Sequence, residues 1–218
     1  GVSSMQLDEV ERGFSYAQDA PLDMRMNPDE GVSAAEYLAT VERAELIRVI
    51  RAYGDEKFAP RIADLVIRAR EVDPVTTTGA LVEIVRTAIP APARRTGGNP
   101  AKRTFQAIRI AVNDELAILE RALPAALTNL AVGGRLVVES YQSLEDRIVK
   151  NIFARGANPH IPPGLPVTAD EVDRRRLLRP LTRGAERADE AEQMKNPRST
   201  PVRLHAVELL APWRNDVR

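Results

Sequence analysis

Few residues in this 218-residue chain are of types that could do chemistry. It has no cysteine and only two histidines, His160 and His205, which argues against thiolate catalysis, disulfides, Cys-ligated zinc or iron–sulfur, and a His-rich metal site; no metal is expected. Two clusters remain. The first is Gly1-Val2-Ser3-Ser4-Met5-Gln6-Leu7-Asp8, small and polar, reading as the exit of a strand. Ligands of open α/β sheets bind at the carboxyl ends of strands, so these residues either line a site or form an ordinary loop. The second is the basic run Arg94, Arg95, Lys102, Arg103 and Arg109, with no Asp or Glu between Pro90 and Val112. Such a local excess is the footprint of RNA or another polyanion, and equally of a solvated helix face. Phe105 within it reads as a core anchor rather than a stacking platform for bases. Ser143 beside Glu145 and Asp146 lacks a G-x-S-x-G surround, and a helix-cap role explains it. No glycine-rich phosphate or dinucleotide fingerprint occurs in the sequence.

Composition bounds the partners. Lys+Arg 31 balances Asp+Glu 31, so a polyanion must find a patch, because whole-molecule attraction is absent. Hydrophobic residues at 44% and charged ones at 28% describe a soluble globular protein. No apolar run approaches the ~20 residues that span a bilayer. The sequence starts without methionine and lacks a secretory leader, so it reads as a fragment of a cytoplasmic protein.

The elements that must position these residues are mostly helices. Residues 1–31 carry turn formers with Pro21 and Pro28 and read as an irregular ordered loop. Ser33-Ala34-Ala35-Glu36 has capping-box form, and Leu46, Val49, Ile50 and Tyr53 continue one helix to Gly54. Asp55 is placed to cap a second helix through Phe58, Ile62, Leu65 and Val66 to Asp73-Pro74. A third follows Thr76–Thr78, with Leu81, Ile84, Val85 and Ile89 facing inward. The Pro- and Gly-rich residues 90–100 read as a boundary loop. Beyond it, Phe105 to Leu130 trace one long helix or two stacked ones, with Pro124 as a kink point, then Gly133-Gly134 and a strand over Arg135–Tyr141. Ser143 caps a further helix, a proline-rich loop spans Pro159 to Pro166, and Leu177–Thr182 and Val202–Leu210 are expected strands. The order helix, strand, helix is α/β grammar.

Several strings in this order resemble one family, the bacterial RsmH (MraW) methyltransferases: Gly1–Asp8, Arg12-Gly13-Phe14-Ser15-Tyr16, Pro21-Leu22-Asp23-Met24-Arg25-Met26, Tyr53–Phe58, Lys102–Ile110, Ser143–Lys150 and Asn196-Pro197-Arg198. The resemblance spans nearly the whole chain. It implies an S-adenosyl-L-methionine-dependent transferase that methylates the N4 of a cytosine in 16S ribosomal RNA, with part of a class I, Rossmann-like methyltransferase sheet and an inserted all-helical domain. It implies three regions: a methyltransferase-domain loop region at 1–31, the helical insertion, a candidate RNA-recognition domain, at 32–100, and the C-terminal part of the methyltransferase domain at 101–218. The family's glycine-rich cofactor loop and its acidic ribose-binding residue are expected upstream of Gly1, so the fragment alone is predicted inactive. Of the family's cofactor contacts, only the Gln of the Val-Ser-Ser-x-Gln string carries over, onto Gln6. Asn99 stands where a His usually precedes Pro-Ala, which weakens any imidazole role there, and Tyr141-Gln142 replaces the commoner Phe-His.

Methyl transfer to an amine needs in-line positioning and no covalent nucleophile, in keeping with the absence of Cys. Ser3 and Ser4 are expected to orient the cytosine, and Lys102, Arg103 and Arg109 to hold phosphates of 16S ribosomal RNA or of the small ribosomal subunit. No catalytic residue can be assigned. No membrane partner is expected, and a homodimer is left open. The competing reading is a noncatalytic RNA-binding or ribosome-associated helical module.

Overall fold

The structure, a computed structural model, describes residues 2–94, 99–161, 164 and 166–214. The chain divides into two compact units, Val2–Glu115 and Leu116–Arg218.

The first unit is helical. It opens with α1 (Ser4–Asp8) and a 3₁₀ turn (Val10–Arg12), so the expected loop over 1–31 contains helix. The Ser3 hydroxyl accepts from the Gln6 N–H while the Gln6 side chain accepts from the Ser3 N–H, a capping box that a Gln supplies as readily as a Glu. Then come α2 (Ala34–Thr40), α3 (Arg43–Gly54), α4 (Ala59–Val72), α5 (Thr78–Ala88), α6 (Ala91–Arg94) and α7 (Lys102–Asn113). Their apolar stripes, including Leu38, Leu46, Ile50, Ile62, Leu81 and Ile108, meet with Leu22 and Met24 in one buried core.

Three local expectations are corrected here. The single helix from Ser33 to Gly54 is two, broken at Val41 and Glu42, which are extended. The carbonyls of Leu38 and Val41 accept from one Arg70 nitrogen of α4, each at 2.8 Å, so a distant side chain satisfies what another helical turn would have. Asp55 does not cap α4. It ends α3 in the left-handed conformation (φ 50), and the Phe58 N–H is met instead by Glu56 at 2.9 Å. The boundary loop contains the short α6, while Arg95 to Gly98 lie outside the described residues.

α8 (Glu115–Asn129) leads into the second unit, with Asp114 in the left-handed conformation ending α7 before it. Of the two options, two helices are formed. The second unit is mixed α/β: β1 (Arg135–Ser140), α9 (Ser143–Ala157), α10 (Ala169–Arg175), β2 (Leu178–Pro180), α11 (Glu190–Lys195) and β3 (Arg203–Leu209). The three strands form an antiparallel sheet in the order β1-β3-β2. The strand expected over Leu177–Thr182 is shorter, and Pro180 sits at its end on an edge, where a missing donor costs nothing. Register pairs Val138 with His205 and Ser140 with Arg203, so these four share one face. Leu123, Leu127, Val149, Ile152 and Phe153 pack with Leu178, Val207 and Leu209 as the core. The α9 cap is Gln142 rather than Ser143, because the Glu145 carboxylate collects the N–H groups of both Tyr141 and Gln142, at 2.9 and 3.2 Å. Among the described residues no helix is long and apolar enough to cross a membrane.

Candidate functional site

In the helical unit, Gln6 is joined to the Pro21–Met26 string. Its Nε2 donates to the Met26 carbonyl across 3.4 Å, a long bond. That string is clamped from three sides. Asn113, at the last turn of α7, accepts from the Met26 N–H at 2.7 Å and donates to the Met24 carbonyl at 2.7 Å. One Arg12 nitrogen donates to the carbonyls of Arg25 and Met26 at 3.0 and 2.9 Å. Gly13 adds the third constraint: at φ +67, a Cβ there would lie 2.3 Å from the Pro21 carbonyl oxygen, so the two family strings meet backbone to backbone. Between the clamps Met24 is fully buried and left-handed at φ 61, a conformation costly for a side chain of this kind. Arg25 is occupied by Asp23, bonding its two oxygens at 2.7 and 2.9 Å, and this holds the Asp23 carboxyl below its ordinary range. Ser3 is occupied by its capping box, while Ser4, the first residue of α1, is exposed.

Lys102 and Arg103 are exposed at the first turn of α7. Their place is set by α3: a Cβ on Gly54 would lie 2.5 Å from the Arg103 carbonyl oxygen, Arg103 donates to the Asp55 carbonyl at 3.0 Å, and Gln106 donates to that of Tyr53 at 2.9 Å. Here the Tyr53–Phe58 string meets the Lys102–Ile110 string. Phe105 is 3% exposed, with Tyr16 edge-on at 5.7 Å, and is a core residue. Arg109 is placed differently from its basic neighbours. Its guanidinium makes two contacts with Glu115, at 2.7 and 3.3 Å, and both side chains are largely buried. The structure therefore does not gather the expected residues into one cluster: Lys102 and Asn113 stand about 16 Å apart along the α7 axis.

The second unit holds a group that the sequence reading passed over. His205 of β3, 6% exposed, lies 2.7 Å through Nε2 from Asp146 of α9, and the other Asp146 oxygen is 3.3 Å from Lys150. Burial by itself would raise the Asp146 carboxyl, but the bonds to His205 and Lys150 outweigh it and the carboxyl is held below its ordinary value. Asp146 and Lys150 were in view as part of a helix; His205 gave no signal, since its partner lies 59 positions away. Among the described residues no group of three or more His, Cys, Asp or Glu could hold a metal ion.

Residues 1–210 match the MraW methylase family. Similar proteins include three named ribosomal RNA small subunit methyltransferase H. The one from Frankia alni is 60% identical over 97% of this chain and 65% of its own length. That of Beutenbergia cavernae is 60% identical over 94% of this chain and 61% of its own. That of Mycobacterium marinum is 59% identical over 96% of this chain and 53% of its own. The chain thus spans between about half and two thirds of the length of these relatives. By this match over nearly its whole length and these identities, the chain belongs to the MraW methylase family.

Proposed function

We propose that this chain is part of an S-adenosyl-L-methionine-dependent methyltransferase acting on the N4 amine of a cytosine in the 16S RNA of the small ribosomal subunit. The observation that carries the reading is the family match across residues 1–210, with relatives named for methylation of small-subunit ribosomal RNA. The three-stranded sheet with its helices is read as part of a Rossmann-like class I domain, residues 32–100 as its helical insertion, and residues 1–31 and 101–218 as methyltransferase segments.

When bound, S-adenosyl-L-methionine supplies an electrophilic methyl group. Gln6 fits a contact to it: its bond to Met26 is long at 3.4 Å, and one amide hydrogen beyond that bond can turn to a ligand. Asn113, Arg12 and Gly13 hold the loop on which Gln6 leans. Ser4, exposed beside it, is assigned to orient the cytosine, with Ser3 fixing the turn. Lys102 and Arg103 are assigned to RNA phosphates, which position the substrate without reading its sequence. Arg109, engaged by Glu115, is assigned to holding the α7–α8 junction behind them.

The test uses the complete reading frame that contains this chain. Incubation with small ribosomal subunits and S-adenosyl-L-methionine, then nuclease digestion and mass spectrometry of the nucleosides, should show N4-methylcytidine. Replacing Gln6 with Ala should weaken cofactor binding by about 1 kcal/mol, the worth of one neutral hydrogen bond. RNA binding without any methylated cytidine would favour the noncatalytic RNA-binding module instead.

A further inference from the structure

Within the α/β unit, between α9 and the paired strands β2 and β3, lies a cavity of about 610 Å³. This is within the size range of small-molecule sites. It exists because Ala154, Ala157 and Ala185 put small side chains where larger ones would fill the trough. Its walls are apolar over Phe153, Pro180 and Val207. Asp146, Lys150, Arg203 and His205 also line it. Alternation along β3 puts Arg203, His205 and Val207 on one face, and Asp146 and Lys150 are one turn apart at the start of α9. The charged groups therefore gather toward one end and the apolar wall continues from them.

The charges there do not cancel. Asp146 spends one oxygen on His205 and the other on Lys150, so its charge is already met. Arg203, only partly exposed, has no ion-pair or hydrogen-bond partner for its guanidinium among the described residues. Lys150 and Arg203 against Asp146 leave a surplus of about one positive charge, which matches one phosphodiester. A partly buried, unpaired arginine beside an apolar trough suits a ligand that is anionic at one end and flat and apolar at the other.

We propose that this cavity is a nucleotide subsite, in which Arg203 and Lys150 hold the phosphate of an RNA residue and the trough between exposed Ala154 and Pro180, backed by buried Phe153 and Val207, receives its base. The RNA source rests on the methyltransferase reading above; the nucleotide chemistry does not. The subsite would add to the RNA contacts assigned to Lys102 and Arg103, from the other structural unit.

Two experiments separate these ideas. Cytidine monophosphate, cytidine and inorganic phosphate are titrated into the 218-residue chain, followed by amide shifts in heteronuclear NMR. The monophosphate is expected to bind tightest, with shifts centred on Ala154, Ala157 and His205. Arg203→Gln should weaken it about tenfold. Ala154→Leu, at an exposed helical position that leaves the core intact, should abolish binding by filling the trough. Equal affinity for inorganic phosphate and the monophosphate, shifts elsewhere, or undiminished binding by Ala154→Leu would overturn the subsite. In the complete protein, Arg203→Gln should raise KM for small subunits several-fold and leave cofactor affinity unchanged; an unchanged KM overturns the RNA assignment. Nucleotide binding by the chain together with no methylation by the complete wild-type protein would refute the methyltransferase reading alone and leave the cavity as a nucleotide site.

Discussion

Replacing Asn113 with Ala tests the clamp on the Pro21–Met26 loop. The side chain makes three bonds: it accepts from the Met26 N–H at 2.7 Å, and donates to the carbonyls of Met24 at 2.7 Å and Arg109 at 2.9 Å. The Arg109 carbonyl lies within α7 and has the helical ladder to fall back on. The other two groups lose the partner that meets them, and Met24 is fully buried. At about 1–3 kcal/mol for each unsatisfied buried group, with water rescuing part of the loss at half-buried Met26, the expected cost is about 2–4 kcal/mol. The left-handed Met24 adds to this, since the clamp is what keeps it at φ 61. Asn113→Asp sharpens the test. A carboxylate keeps the acceptor for Met26 but sets an oxygen against the Met24 carbonyl, so at neutral pH it should destabilise at least as much as Ala, recovering in acid as the group gains a proton. Urea unfolding followed by far-UV circular dichroism reads the helices of both units, and fluorescence of Trp213, the single tryptophan, reads the second unit by itself, so a loss confined to the helical unit shows as a dichroism transition ahead of the fluorescence one. A loss below about 0.5 kcal/mol for Ala, or an Asp variant more stable than Ala at neutral pH, would refute the reasoning.

Three further outcomes are expected. Gly54→Ala should cost about 1–3 kcal/mol in urea unfolding, because its Cβ meets the backbone of Arg103, which cannot swing aside as a side chain can. Tyr37→Phe should be neutral or slightly stabilising at pH 7, since the buried hydroxyl has no hydrogen-bond partner among the described residues. Burial pushes the Tyr37 hydroxyl up to about 12, so the unfolded chain loses this proton first and stability falls as pH rises from about 10 towards 12; the Phe variant should lack that part of the alkaline slope. Lys102→Ala with Arg103→Ala in the complete protein should weaken RNA binding with little change in sequence preference and make its salt dependence shallower. An unchanged salt slope returns both residues to the solvated surface.

Where structure is decided by neighbours in sequence, it was legible beforehand. Ser33 with Glu36 and Thr77 ahead of α5 act as the caps their types suggest, and the stripes of Leu46, Val49, Ile50 and of Leu81, Val85 are buried. β1 and β3 run close to the expected bounds. The errors have the opposite cause. The break at Val41 depends on Arg70, the left-handed Asp55 on how closely α3 approaches α7, and the His205–Asp146 pair on two elements 59 positions apart. For the candidate site, the sequence singled out strings without saying which side chains within them are engaged by neighbours. Arg109 and Arg103 are indistinguishable as cations in a basic run; only Glu115, whose side chain is 3% exposed, separates them.

The start of α7 carries Lys102, and its end carries Asn113, which holds the loop that Gln6 of α1 touches; this has a mechanical consequence. Asn113 ties the loop beneath Gln6 to the end of α7, and Gly54 with Asp55 ties the start of the same helix to α3. A helix of this length is stiff against bending because each turn is closed by backbone hydrogen bonds, and Phe105 and Ile108 hold its inner face in the core. The end that carries Lys102 and Arg103 and the end that carries Asn113 are thus kept at a set spacing by packing and by these hydrogen bonds. A shift of either end would open the core or break a clamp, and the proposed methyl transfer would be slowed by misplacement of its reacting atoms. Of the matched strings, those in the helical unit meet at the two ends of α7, held there by Asn113 and Gly54; under the proposed function these two residues act on methyl transfer by positioning alone, touching neither cofactor nor RNA.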